Sequence, residues 1–297
     1  MESDVDILVD IALPGTLILI MFGMGMTLTV RDFLRLASYP RAVAVGLGGQ
    51  LVLLPVVGAA LALLWDLPSA LAVGVIVLAA CPGGTTSNLV SHLARGDVPL
   101  SITLTAVNSC IVVFTIPLYG ALAVDHFAGA DADVPLPLAA TMQRVFLYTV
   151  LPVGLGMGVR ALAPVFAKRI GPAYDRFAML AFVFILVVIV WTSRESLLQM
   201  LAVVGGVTAA LNLIMTALGL LLGALLAVGT RQVLTLGIEI GIQNTVLGMV
   251  VAATILDGLG GLDGRVMLMP SAIYGLLMFA PAALIIAYGR RRLAPLV

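Results

Sequence analysis

Charged residues are scarce in this sequence. Only 10% of the 297 residues are Asp, Glu, Lys or Arg, whereas 62% are hydrophobic and the mean hydropathy is +1.19. A soluble domain has roughly a quarter of its residues charged, so this chain has too little charge to cover a water-soluble globule. The scarcity excludes a cytosolic enzyme, a nucleic-acid-binding protein and a disordered protein. The formal net charge of zero provides no overall field that would attract a charged macromolecule.

Residue types that build catalytic and metal sites are also few. The two cysteines, Cys81 and Cys110, lie in apolar segments and are interpreted as packed thiols. The two histidines, His92 and His126, belong to no zinc motif, and the chain contains no nucleophile elbow or Walker loop. Residues 1–6 are acidic rather than basic, so we expect no cleavable signal peptide. These absences favour an integral membrane protein that is not an enzyme.

Nine long segments between charged positions are apolar enough to cross a bilayer. A membrane-spanning helix needs about 20 apolar residues. The nine predicted spans lie within residues 10–31, 41–66, 66–95, 97–125, 147–159, 176–194, 195–231, 231–257 and 265–290. The fifth is short and must extend upstream past Arg144. The sequence therefore predicts an all-α integral membrane protein with nine transmembrane helices.

Basic residues fall mainly on one side of these nine spans. Of the 15 basic residues, all except Arg144, Arg194 and Arg265 share the side of the C-terminus, and most acidic residues lie on the other side. Loops rich in Arg and Lys stay in the cytoplasm. We therefore expect a multi-pass protein of the cell inner (plasma) membrane, with the N-terminus outside and the Arg290-Arg-Arg tail in the cytoplasm.

One acidic residue lies in the middle of a predicted span. Glu239 occurs in the eighth span, and Gln243, one helical turn further on, shares its face, with Asn244 next. An ionisable residue at this depth is costly and by default indicates function. The alternative is a polar contact that holds helices together. Three polar groups beside Gly237 and Gly241 exceed what packing requires, which favours a binding site.

The third span contains a second irregularity, the segment Cys81-Pro-Gly-Gly-Thr-Thr-Ser-Asn88. The proline removes a backbone donor, the glycines permit non-helical torsions, and the polar residues that follow can begin a new helix. We therefore expect two half-helices with an unwound hinge, although a simple proline kink is the alternative. Broken backbone at this depth must be buried or line a cavity.

Other spans carry isolated polar positions. Ser101, Thr105 and Asn108 share one face of the fourth span. Gln50 lies in the second span, and Asn212 in the seventh is interpreted as an interhelical hydrogen-bonding residue. Two broken helices, one in each half of the chain, are typical of an inverted-repeat secondary transporter. Carboxylate, amide, hydroxyl and carbonyl oxygens together suit a hard monovalent cation.

Four motifs resemble those of the bile acid:sodium symporter family. They are Cys81–Asn88, Leu93–Val98, the run Glu239-Ile-Gly-Ile-Gln-Asn244, and Met21–Leu28. The resemblance covers nearly the whole chain. It implies an inverted-repeat fold with two crossing discontinuous helices that lacks the first helix of ten-helix members. It further implies a panel domain at residues 11–30 and 138–192 and a core domain at residues 41–124 and 199–290.

The same resemblance implies two sodium sites and a neighbouring substrate site. The first sodium site would use Ser87, Asn88, Ser101, Thr105 and Glu239. The second would use Gln50, Glu239, Gln243 and the backbone carbonyls of Ile240 and Ile242. Thr85 and Asn244 match positions near the substrate. Met278-Phe279 stands where some bacterial members carry a His-Asn pair, so we expect a more apolar cavity there.

The function predicted from these features is sodium-coupled symport of an organic anion into the cell. The substrate is either a small carboxylate, which we favour, or a bile-acid-like anion. An uncoupled or proton-coupled carrier on the same fold is the first alternative, with Glu239 as the proton site. A membrane sensor or subunit that transports nothing is the second, although the predicted loops are too short for a signalling domain. The expected partners are the anion and the lipid bilayer, with no nucleic acid and no obligatory protein partner.

Overall fold

The computed structural model describes residues 8–127, 137–192, 198–226, 228–257 and 261–294, and the regular elements in these ranges are helices. Two short helical turns, Val30–Leu34 and Arg35–Ser38, connect the first two long helices. We number the main helices as follows: α1 (Asp10–Thr27), α2 (Pro40–Leu64), α3 (Ser69–Ala80), α4 (Thr85–Leu93), α5 (Val98–Phe127), α6 (Leu138–Leu162), α7 (Pro164–Thr192), α8 (Leu198–Leu225), α9 (Thr230–Gly241), α10 (Thr245–Val250, continued by a π-helical turn at Val251–Ile255) and α11 (Gly264–Arg292).

Seven helices in the described ranges are long and apolar enough to cross a membrane. They are α1, α2, α5, α6, α8, the pair α9–α10 taken together, and α11. The bent pair α3–α4 makes an eighth if it crosses as one span. The multi-pass membrane architecture is therefore confirmed, whereas the count of nine stays a prediction.

Two boundaries differ from those drawn between charges. α6 begins at Leu138, so the fifth predicted span does extend upstream past Arg144. α7 begins at Pro164, twelve residues before the expected start at Arg176, so Arg176 lies inside a helix rather than in a loop. Charge alone misplaced this boundary because a long Arg side chain is tolerated within a helix when it faces a cavity or an aqueous edge. Glu195, which marked the start of the seventh predicted span, lies outside the described residues.

Helices α1, α6 and α7 pack on one another, and glycines allow two of them to approach closely. A Cβ atom at Gly25 would meet the backbone of Val153, and one at Gly156 would meet the carbonyl of Phe22. Only glycine leaves room for backbones this close. The small residues within Met21–Met26 therefore allow close packing of α1 on α6. These are the three helices of the predicted panel, although the division into panel and core remains a prediction.

The span α9–α10 occupies the centre of the protein. In its most apolar stretch 94% of the residues are buried, against 28–50% in the corresponding stretches of the other six spans. Gly219 of α8 lies against the backbone of Leu236 and Gly237, so α8 and α9 also pack at backbone distance. A span shielded in this way is surrounded by protein rather than lipid, which permits polar residues inside it.

Both expected breaks are present, and they meet. The first separates α3 from α4 at residues 81–84 with a bend of 61°, and the second separates α9 from α10 at residues 242–244. The amide of Asn244 donates to the carbonyl of Pro82 at 2.7 Å, so each break satisfies part of the other's free backbone. The Asn244 side chain then accepts from the amide of Leu247 at 3.1 Å and caps α10. The predicted discontinuous helices are therefore confirmed.

Three chain segments that the charge count assigns to one side of the membrane lie together. The Arg95 guanidinium donates to the carbonyls of Arg290 and Leu293, and the Arg231 guanidinium donates to those of Arg95 and Ala294. The ends of α4 and α11 and the start of α9 are therefore on the same side of the protein. Which side faces the cytoplasm stays a prediction.

Candidate functional site

The carboxylate of Glu239 is fully buried and is surrounded by hydroxyl groups from two other helices. Ser87 of α4 donates to Oε1 at 2.7 Å, Ser101 of α5 donates to the same oxygen, and Thr105 of α5 donates to Oε2 at 3.1 Å. Ser101 also donates to Oδ1 of Asn88 at 2.8 Å. The five residues of the first predicted sodium site are therefore brought together around one carboxylate.

No basic residue in the described ranges forms an ion pair with Glu239. One ion pair in these ranges joins Arg35 and Asp32 and does not involve Glu239. Burying a carboxylate without a charged partner is expensive, and hydroxyl donors offset only part of the cost. A site that gathers oxygen ligands around such a carboxylate suits a cation or a proton.

Gly83 makes room for the carboxylate at the first break. A Cβ atom there would lie 2.7 Å from Oε2 of Glu239 and 3.2 Å from both the Gln50 amide nitrogen and the Ser87 hydroxyl. Real Cβ atoms do not approach an oxygen this closely without displacing it. Gly83 is therefore a wall of the site as well as part of the predicted hinge, a role that its sequence context does not indicate.

The second predicted sodium site is partly assembled. Gln50 lies in a π-helical turn of α2, Gly49–Leu53, and donates from Nε2 to the backbone carbonyl of Glu239 at 2.6 Å. Gln243 donates to the carbonyl of Ile240 at 2.9 Å. Ile242 belongs to the same break as Gln243. These groups are adjacent, but Gln50 and Gln243 turn their amide nitrogens toward the carbonyls in this conformation.

Asn108 belongs to this second set, although it was not among the predicted ligands. Its Nδ2 donates to Oε1 of Gln50 at 2.8 Å. The oxygens Oδ1 of Asn108 and Oε1 of Gln243 are buried and accept no hydrogen bond from any described group. A buried oxygen without a donor suits a cation, since each such acceptor otherwise carries a desolvation cost. The shared face of Ser101, Thr105 and Asn108 was the signal for including Asn108.

A second buried network fixes the end of α9. Asn212 of α8 and the hydroxyl of Tyr274 of α11 both donate to the carbonyl of Gly241, at 2.5 and 2.8 Å. Asn212 also donates to the Tyr274 oxygen at 3.1 Å. The interhelical hydrogen-bonding role predicted for Asn212 is confirmed. Tyr274 was missed because nothing in its own sequence context indicates which helix it faces.

A cavity of about 360 Å³ adjoins the two breaks. Thr85, Thr86 and Leu89 of α4 line one part of it, and residues 243–246 line another. Gly84 is the N-cap of α4 and provides no side-chain hydrogen bond, so the first amides of α4 lack a side-chain acceptor at the edge of this cavity. Its volume lies within the usual range for small-molecule sites.

Both predicted substrate residues, Thr85 and Asn244, line this cavity. Asn244 is only 7% exposed, and its Nδ2 has no acceptor among the described residues. Met278 also lines the cavity, as expected from its replacement of a polar residue, whereas Phe279 is not part of the lining. The free amides of α4 and the free donor of Asn244 both suit an anion.

The fold and these two neighbouring sites define a class of protein. A single buried carboxylate where two broken helices meet, beside a cavity with anion-binding groups, is the arrangement of a secondary transporter. In the described ranges no three His, Cys, Asp or Glu residues cluster as they would in a catalytic metal site. The fold and the site are those of a multi-pass membrane transporter.

The chain belongs to the sodium bile acid symporter family, whose sequence profile matches residues 14–200. A Bacillus subtilis protein named "Uncharacterized sodium-dependent transporter" is 30% identical over 86% of this chain and 76% of its own length. A chloroplastic rice protein named "Probable sodium/metabolite cotransporter" is 29% identical over 78% of this chain and 56% of its own length. The human ileal sodium/bile acid cotransporter is 28% identical over 78% of this chain and 66% of its length.

Proposed function

We propose that this protein is a symporter that carries a small organic anion into the cell together with sodium. The observation that supports this most strongly is the buried carboxylate of Glu239, which three hydroxyls surround and no described basic residue neutralises. Sodium is the cation named for the relatives from Bacillus, rice and human. The oxygen ligands gathered here match the preference of a hard monovalent cation.

Two sodium ions are proposed, with Glu239 shared between them. Ser87, Asn88, Ser101 and Thr105 would hold the first ion with the carboxylate. Gln50, Gln243 and the carbonyls of Ile240 and Ile242 would hold the second after the two carboxamides turn their oxygens inward. The orphaned Oε1 of Gln243 supports this, since it is a buried acceptor that a cation would satisfy.

The anion is proposed to bind in the neighbouring cavity, with one carboxylate at the N-terminus of α4. Thr85, the first α4 amides and Nδ2 of Asn244 would bind it. The cavity volume of about 360 Å³ is close to the lower end of the usual range for small-molecule sites, which favours a small acid over a steroid conjugate. The proposed direction is inward, across the inner membrane, with the basic ends of α4 and α11 in the cytoplasm.

Thermal unfolding of the purified protein in sodium and potassium chloride tests the coupling. We expect sodium to raise the melting temperature and potassium not to, and a carboxylate from a panel of small acids to add to the shift only in sodium. A melting temperature that is the same in both salts would contradict the proposal.

Uptake into proteoliposomes separates sodium coupling from the alternatives. A sodium gradient should drive accumulation of the acid, whereas a proton gradient without sodium should not. Accumulation driven by protons alone would instead favour Glu239 as a proton site.

A further inference from the structure

One charged side chain, Arg176, lines the cavity among the described residues that surround it. It belongs to α7, whereas Thr85 and Asn244 belong to the two broken helices. The cavity is therefore bounded by two groups of anion-binding donors on different helices. The sequence alone predicted no role for Arg176, which marked the boundary of the sixth predicted span.

The Arg176 guanidinium is held by its own helix and forms no ion pair with a carboxylate whose side chain the structure describes. Its Nε donates to the carbonyl of Pro172 at 3.0 Å, which folds the side chain along α7. One ion pair among the described side chains joins Arg35 and Asp32, and it does not involve Arg176. Its two terminal nitrogens remain available, and a guanidinium can offer both to one carboxylate.

Most of the other residues that line the cavity are apolar. Met179 and Phe182 follow Arg176 along α7, and Ile20 of α1 and Met278 of α11 complete this part of the wall. An apolar wall with donors at separate places suits a carbon skeleton that carries an anionic group at each end. A single carboxylate would satisfy only one of the two groups.

We infer that the cavity selects an acid with two separated anionic groups, one bound at the N-terminus of α4 and the other by Arg176. A small dicarboxylate is the simplest ligand of this class. The inference rests on the proposed function, because it assumes that the cavity is the anion site of the transporter. Arg176 is then a residue that determines substrate specificity, and it has no part in binding sodium.

Binding measurements on the purified full chain in sodium chloride test this inference. A series of linear dicarboxylates of increasing length is compared with monocarboxylates of the same carbon number, by calorimetry. The wild type should bind one length of dicarboxylate about tenfold more tightly than its matched monocarboxylate, the scale of one partly exposed charge-assisted hydrogen-bonded pair. Arg176→Gln should remove this preference without weakening the monocarboxylate, and Arg176→Lys should retain part of it.

Arg169→Gln is the matched control, because it removes the same charge from an exposed position of α7 that does not line the cavity. It should keep the dicarboxylate preference. The sodium-dependent melting shift without any acid should be unchanged in all three variants, which verifies their folding.

The outcomes separate the two proposals. Sodium-dependent binding of monocarboxylates with no preference for dicarboxylates in the wild type would overturn the inference and leave the proposed function standing. Equal weakening of both acid types by Arg176→Gln would also overturn it, since Arg176 would then act as a general attractive charge. Absence of sodium-dependent binding of any acid to the wild type would overturn both.

Discussion

Replacing Glu239 with glutamine tests the proposed sodium site most directly. The carboxamide has the size of the carboxylate and keeps one oxygen, so Ser87 and Ser101 can still donate to it. The Thr105 hydroxyl can accept from the new amide group instead of donating. Because the variant buries no unneutralised charge, we expect it to insert, fold and melt in potassium at the wild-type temperature or above.

We expect the Glu239→Gln variant to bind sodium much more weakly than the wild type. Two unit charges about 4 Å apart attract by about 4 kcal/mol at an effective dielectric constant of about 20. At about 1.4 kcal/mol per tenfold change, removing this attraction weakens sodium binding by on the order of a thousandfold. At a sodium concentration of about a hundred times the wild-type Kd, bound sodium raises the free energy of unfolding of the wild type by about 2.7 kcal/mol. For the variant the same expression gives about 0.1 kcal/mol or less.

Melting curves in sodium and potassium chloride of equal ionic strength measure this difference. Thr208→Val is the matched control, since the Thr208 hydroxyl is buried on α8 and bonds only to carbonyls of its own helix. That variant should keep the sodium-dependent shift. A Glu239→Gln protein that sodium stabilises as much as the wild type would refute the reasoning, because the charge would then not be needed.

Three further substitutions probe the neighbouring features. Thr85→Val removes a hydroxyl from the cavity and should weaken anion binding by about 1 kcal/mol, measured by calorimetry, while sodium binding stays unchanged. Weaker sodium binding with unchanged anion binding would place Thr85 in the sodium site. Gly83→Ala should abolish the sodium-dependent melting shift because its Cβ displaces Glu239, whereas Gly48→Ala, which meets no atom within 4 Å, should retain it. Gly156→Ala should lower the free energy of unfolding by about 1–3 kcal/mol, because the added Cβ forces α1 and α6 apart. Gly154→Ala on the same helix is the control and should not lower it. Equal effects of the two substitutions would argue against close packing.

The breaks and the acidic centre could be predicted because their signals are local. Proline followed by two glycines interrupts a helix wherever it occurs, and Glu239 is conspicuous in an apolar span. The hydroxyls of Ser101 and Thr105 share one helical face, so their common target is a consequence of helix geometry. The family resemblance supplied the rest of the ligand set.

Gly83, Tyr274 and Arg176 could not be assigned in the same way. Their roles depend on how far and at what angle other helices approach, and the periodicity of a single helix does not contain that information. Tyr274 bonds Gly241 only because α11 presents that face to α9. Arg176 was placed at a helix boundary because its charge was used to mark the start of a span, whereas α7 begins about three turns before it.

The pairing of the two breaks has a consequence for the order in which the protein is made. Gln50 and Ser87 both donate hydrogen bonds to Glu239, which follows them in the chain by 189 and 152 residues. The Pro82 carbonyl accepts from the amide of Asn244, which is also synthesised much later. Before α9 has been synthesised, these groups lie in the hydrocarbon core of the membrane without those hydrogen-bond partners. Each group that stays unsatisfied there costs several kcal/mol of free energy. A nascent chain halted before Glu239 should therefore be degraded by membrane proteases instead of persisting as a stable half.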